Sequence, residues 1–315
     1  MAIEWKLGGL MLISTHAMHA TLPAPFITAG WQQVADSSFG TTNINAVAVS
    51  DSGKLVAVGS SGKIATSTNN GLNWAQQVSP FQTTNIYSVA YGDGIYIAGG
   101  STGKMATSVD GENWTLVPST FGASAILGID YLPFSSLWVA VGASGKLATS
   151  LDGTNWLQRA SSFSTTFINS VYSAADIAIA VGYDGKLATS TNGVDWTQRG
   201  SSFVTSTIYD VVANPENTQF VAVGDSGKVA VSDDAATWTQ IFPTSSFGSS
   251  SIRAIASFED SYTATASAGK IGTAFEPDFW TQRASTFGLS TINDVVIYNN
   301  IGIAVGGDGK IAYSI

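Results

Sequence analysis

Residues 168 to 200 read Ile168-Asn-Ser-Val-Tyr-Ser-Ala-Ala-Asp-Ile-Ala-Ile-Ala-Val-Gly-Tyr-Asp-Gly-Lys-Leu-Ala-Thr-Ser-Thr-Asn-Gly-Val-Asp-Trp-Thr-Gln-Arg-Gly200. The stretch holds four short runs rich in β-branched or aromatic residues: Ile168–Ser173, Ile177–Gly182, Lys186–Ser190 and Trp196–Gly200. Gly, Asp, Asn or Ser bounds each run, so they read as strands joined by tight turns. Four such strands every 40 to 45 residues or so make one β-propeller blade.

The same pattern recurs along the chain. Gly-Lys returns at Lys63, Lys104, Lys146, Lys186, Lys228, Lys270 and Lys310, with spacings of 40 to 42 residues. Trp returns at Trp31, Trp74, Trp114, Trp156, Trp196, Trp238 and Trp280. Phe returns at Phe39, Phe81, Phe121, Phe163, Phe203, Phe247 and Phe287, each followed five residues later by Ile. A feature shared by every blade serves what the blades share, which is packing. The Trp and Phe series therefore predict the interfaces between blades, and the Lys series predicts bonds to neighbouring carbonyls or hairpin carboxylates.

The order of the landmarks predicts the closure. Lys310 has no Trp after it, because the chain ends at Ile315 with three strands of that blade in place. The unmatched Trp31-Gln-Gln-Val34 supplies the fourth, which removes the open edge of the ring. The expected fold is all-β: a seven-bladed propeller over residues 31–315, four antiparallel strands per blade, with residues 1–30 as an apolar N-terminal arm.

Between third and fourth strands lie Ser108–Trp114, Ser150–Trp156 and Ser190–Trp196, each of the form Ser-x-Asp/Asn-Gly-x-x-Trp, and the longer Ser67–Trp74. Asp or Asn bonds its own backbone there and Gly takes a positive φ, which makes a tight hairpin. These motifs resemble the Asp-box repeat of bacterial neuraminidase-type propellers, Ser-x-Asp-x-Gly-x-x-Trp. Most copies are one residue short, so the resemblance is to the hairpin and not to a particular enzyme.

That family includes sialidases, whose chemistry the resemblance implies would need three converging arginines, a Tyr nucleophile with a Glu partner, and an acid Asp. The chain has four arginines. Arg159, Arg199 and Arg283 each follow a repeat Trp by three residues, on outer strands, and only Arg253 falls near the axis. Both histidines, His16 and His19, lie in the arm, so no His-based triad or metal site is expected on the propeller. The glycines match no phosphate loop. The expectation is a chain that is not an enzyme and has no cofactor.

Composition narrows the partners. Net charge is −9, which leaves no basic footprint for nucleic acid. No run reaches the roughly 20 apolar residues of a membrane span. Blades five and six depart most from the repeat. There Glu216, Asp233, Asp234, Glu259, Asp260, Glu276 and Asp278 fall in loops of one face, a candidate loop-face site together with Arg253. Such an acidic sector suits a basic partner, Ca²⁺ or plain solvent.

The arm carries Ile3, Trp5, Leu7, Leu10, Met11, Leu12, Ile13, Phe26 and Ile27, apolar side chains that a finished propeller does not need. They are the candidate anchor to other protein subunits of an assembly. The Cys-free, Ser/Thr/Gly/Asn-rich composition, with 11% charged residues, is similar to that of bacteriophage tail and capsid-decoration proteins. The expected role is a virion or extracellular structural or adhesive component that presents a propeller face to a neighbouring subunit, a host surface receptor or a glycan. The alternative is a secreted, multivalent carbohydrate-binding propeller lectin, with the repeated Phe, Trp and Arg side chains partly exposed between blades.

Overall fold

The computed structural model describes residues 30–241 and 246–314. The arm residues named above, Ile3 to Ile27, and the boundary drawn at residue 30 lie outside or at the edge of this span. Seven four-stranded antiparallel sheets form the seven blades. Their inner strands are Ile44–Val49, Ile86–Gly92, Ile126–Leu132, Ile168–Ser173, Ile208–Ala213, Ile252–Phe258 and Ile292–Tyr298, for blades one to seven in order. Blade four continues through Ala178–Gly182, Leu187–Ser190 and Thr197–Arg199, within a residue or two of the runs in the sequence.

Closure follows the expected route. Trp31–Gln33 pairs with Ile311–Ser314, with Trp31 opposite Ser314 and Gln33 opposite Ala312. Val34 lies beyond the strand but extends the ladder, donating its N–H to the Ile311 carbonyl at 2.9 Å.

The core lies between the blades. All seven repeat Phe are at most 2% exposed and all seven following Ile are at 0%. Phe203 and Ile208 of blade five, for instance, pack on Ile179, Val181 and Leu187 of blade four. In six blades the Trp indole N–H donates to the carbonyl three residues back in its own hairpin, as Trp114 does to Gly111 at 2.9 Å. The lectin alternative requires the repeat Phe to be partly exposed, and they are buried, whereas Trp114, Trp156, Trp196 and the outer-strand Arg159, Arg199 and Arg283 keep part of their surface open.

The Lys series has a common partner as well. Each of the seven ammonium groups donates to the carbonyl of its own blade's repeat Phe, at 2.6 to 3.4 Å. Before each Lys stands a turn with two consecutive residues at positive φ, such as Asp184 and Gly185, the type I′ geometry that favours Gly at the second position. At Gly62 (φ +68°) a Cβ would fall 2.1 Å from the Gln82 carbonyl oxygen of the next blade. Gly62→Ala is expected to lower stability by about 2 kcal/mol or more in urea denaturation, from left-handed strain and the backbone clash together.

Candidate functional site at the axial channel

The second-to-third-strand turns and the loops leading into inner strands share one face of the disc, here the turn face. The first-to-second-strand loops and the Asp/Asn hairpins share the opposite, hairpin face. Between them runs the channel.

In every inner strand the register slips just after the repeat Ile, leaving Asn45, Tyr87, Leu127, Asn169, Tyr209, Arg253 and Asn293 outside the ladder. A bulge of this kind re-aims its side chain. All seven line a cavity of about 200 Å³ on the axis. The three asparagines stitch neighbouring blades: their amides donate to Ile86, Ile208 and Ile44 carbonyls at 2.7 to 2.8 Å.

Three aspartates do the same with carboxylates. Asp294 accepts the Val47 N–H of blade one at 2.9 Å, Asp130 the Ser173 N–H of blade four at 2.8 Å, and Asp210 the Ile255 N–H of blade six at 3.0 Å. Asp210 also accepts the Ser170 hydroxyl at 2.9 Å. Asp210 and Asp294 line the channel cavity, Asp130 lies just outside its lining, and at all three desolvation dominates. It pushes Asp130 and Asp294 up to about 7 and Asp210 to about 6, and charge at Asp210 adds to the rise at the other two. These are carboxyls able to exchange a proton near neutrality, and no spacing in the sequence announces them.

On the turn face, one sector of the channel mouth breaks the repeat. The residue before each repeat Ile is Asn43, Asn85, Ala125, Phe167, Thr207, Ser251 or Thr291. The residue opening each turn is Ser60, Ser101, Ala143, Tyr183, Asp225, Ser267 or Gly307. Phe167 and Tyr183 are the aromatic exceptions; their rings meet at 5.3 Å, and they stay 39% and 43% exposed. Next along the mouth, burial raises the Tyr209 hydroxyl's pKa, against the pull of Arg253; Asp225 and Tyr183 are close enough to raise it further. The Arg253 guanidinium lies 4.2 Å from the centroid of the Tyr209 ring. Phe167 and Tyr183 were missed by the sequence reading, although comparing like positions across the repeats would have exposed them.

Arg253, then, lines the channel, apart from the acidic residues grouped with it in the sequence. Glu216, Asp233, Asp234, Glu259, Asp260, Glu276 and Asp278 sit in loops and hairpins of the hairpin face. Among the described residues no three acidic or other metal-ligating side chains come together to hold an ion. Asp234 serves its own hairpin, accepting the Ala236 and Thr237 N–H groups at 2.8 and 2.7 Å, which holds its carboxyl down at about 2. Arg159, Arg199 and Arg283 stay on outer strands, each donating to a Thr hydroxyl of the adjacent strand. No helix among the described residues is long and apolar enough to cross a membrane.

No protein-family model and no curated protein matches the sequence. Solved structures do match. YCF48 bound to a D1 peptide superposes with a TM-score of 0.73 at 16% identity, over 91% of this chain and 95% of that one. YCF48 from Cyanidioschyzon merolae gives 0.70 at 18%, over 91% and 98%. A catalytically inactive virginiamycin B lyase from Staphylococcus aureus with quinupristin gives 0.80 at 11%, over 91% and 99%. These neighbours lend no support to a virion role, nor do they single out Asp-box proteins. They also correct the expectation that the chain is not an enzyme, since lyases share its fold. That expectation rested on finding neither a sialidase constellation nor a His-based triad, metal site or phosphate loop in the sequence. A ring, however, assembles its channel from residues about 40 apart, and three near-neutral carboxyls escaped notice that way. At such low identities the likeness reaches as far as the architecture: a seven-bladed, four-stranded propeller closed by its N-terminal strand.

Proposed function

We propose that this propeller binds a segment of a partner protein on its turn face, at the channel mouth between blades four and six. The observation that carries the reading is the exposed Phe167–Tyr183 pair, set in positions where the other blades hold small or polar residues. Exposed aromatics clustered beside an arginine are the usual anchors of protein recognition. The likeness to YCF48 with its D1 peptide supports the same reading, since a propeller of this shape can hold a peptide. Assembly with other protein subunits is retained in this form, while the virion setting is not.

The test is a selection of random dodecapeptides on the immobilised full-length chain. Selected peptides are expected to bind the Phe167→Ser/Tyr183→Ser variant at least tenfold more weakly, a loss of about 1.4 kcal/mol. They should bind a Leu72→Ser/Val109→Ser control, altered on the hairpin face, as they bind the wild type. Equal binding to the rim variant, or no selectable peptide, would refute the proposal.

A further inference from the structure

Apart from Arg253, every lysine and arginine among the described residues has a hydrogen-bond partner. Lys54 holds the Asp110 carbonyl and Glu112, the seven repeat lysines hold Phe carbonyls, and three arginines hold Thr hydroxyls. Among the described residues Arg253 finds neither a hydrogen-bond nor an ion-pair partner, and its Nε is shut off from solvent. A partly buried guanidinium left so is costly, and sites that keep such a cost usually recover it from a ligand.

The surroundings define the ligand's chemistry. The Tyr209 ring holds the guanidinium carbon 4.2 Å above its centroid, and a planar fork of N–H donors matches a carboxylate in bidentate fashion. Asp210 and Asp294 line the same cavity, so a dianion such as phosphate would meet negative charge there with a single cation to offset it. One monoanion is matched. Beside it, the arc from Tyr209 to Tyr183 and Phe167 offers aromatic faces to an apolar body.

We propose that Arg253 and Tyr209 form a binding site for the carboxylate of a ligand whose aromatic or apolar part lies along Tyr183 and Phe167. The site rests on the mouth being a ligand-binding surface. The carboxylate can belong to a bound protein segment or to a free organic acid, and the chemistry at Arg253 is the same.

Phenylacetate is the probe, with phenylacetamide as its neutral counterpart and inorganic phosphate as the dianion, titrated calorimetrically into the full chain. Phenylacetate is expected to bind at least tenfold more tightly than either. Arg253→Gln should abolish that preference and leave phenylacetamide unaffected. Arg253→Lys, which keeps the charge but not the fork or the stack, should restore only part of it. The thermal midpoint of unliganded Arg253→Gln should equal or exceed the wild type's, because the unpaired charge is gone; a fall would mark a structural role instead and overturn the site. Equal affinities for phenylacetate and phenylacetamide, tighter binding of phosphate, no binding of any probe, or an unchanged Arg253→Gln titration would each overturn it too. Phenylacetate bound at Arg253 with no selectable peptide would uphold this site and refute the protein partner. Peptides that bind the mouth yet ignore both Arg253→Gln and competing phenylacetate would do the reverse.

Discussion

Trp31→Ala in the full-length chain is expected to lower the melting temperature by about 10 °C and to turn a soluble propeller into one that self-associates. Trp31 is 5% exposed and packs with Ile271, Phe287, Ile292 and Val295, among others. Gly302 leaves room for its indole: a Cβ there would stand 2.7 Å from the ring. Removing a buried Trp costs about 3–5 kcal/mol, a large part of the total stability of roughly 5–15 kcal/mol that domains possess. The closing strand is short, with three paired residues, and unlike the other six repeat Trp, Trp31 finds no carbonyl for its indole N–H among the described residues. Its attachment therefore depends on packing. Once loose, it exposes Ile311–Ser314 as an open edge able to pair with another chain. Thermal unfolding with light scattering checks both halves, with Trp156→Ala as comparison, since Trp156 is half-buried and lies on a blade whose strands are contiguous in the chain. A Trp31→Ala chain that melts as the wild type does, without larger species, would mean that the ring does not depend on this closure.

The second large effect is on pH. Asp130, Asp210 and Asp294 hold their protons up to about 7, 6 and 7 when folded, against 3.8 for an ordinary carboxyl. Between those values the folded chain binds more protons than the unfolded one, so stability falls as pH rises. The stabilising contribution is complete below about pH 4 and is gone once pH has passed through the folded values. From pH 5 to pH 8 the combined loss is on the order of 5 kcal/mol. Hairpin carboxylates such as Asp110 and Asp234 are shifted the opposite way by backbone N–H bonds, and their contribution disappears only in stronger acid. Urea denaturation at pH 5 and pH 8 should therefore give the greater stability at pH 5. Asp294→Asn, which keeps an oxygen for the Val47 N–H, should remove roughly a third of the difference. Equal stability at both values, or greater stability at pH 8, would show that these carboxyls are ionised in the fold at little cost.

The architecture was legible because it is written seven times: Phe, Ile, Lys and Trp recur at fixed offsets, and the one misplaced Trp marks the closure. What repetition announces is packing, and the structure places those residues between blades and under turns. The site was legible only at Arg253. Asp210 and Asp294 share a repeat position with Ala46, Ser88 and Ala254, whereas Asp130 sits two residues further on, so no common spacing links the three. Their convergence is a property of the ring. Phe167 and Tyr183 look like ordinary loop residues until they are compared with their counterparts. The acidic residues of blades five and six attracted attention because their loops break the repeat, but at Asp234 the charge goes into making a turn.

The axial stitching is uneven. Asp and Asn bridges join blades seven and one, one and two, three and four, four and five, and five and six. Among the described residues, the junctions between blades two and three and between six and seven carry neither. The ring thus consists of two tied arcs, blades seven to two and blades three to six, meeting at two seams held by apolar packing and bonds nearer the faces. Pulled or heated, such a molecule should part along those seams. The channel mouth at blades four to six would stay within one intact arc.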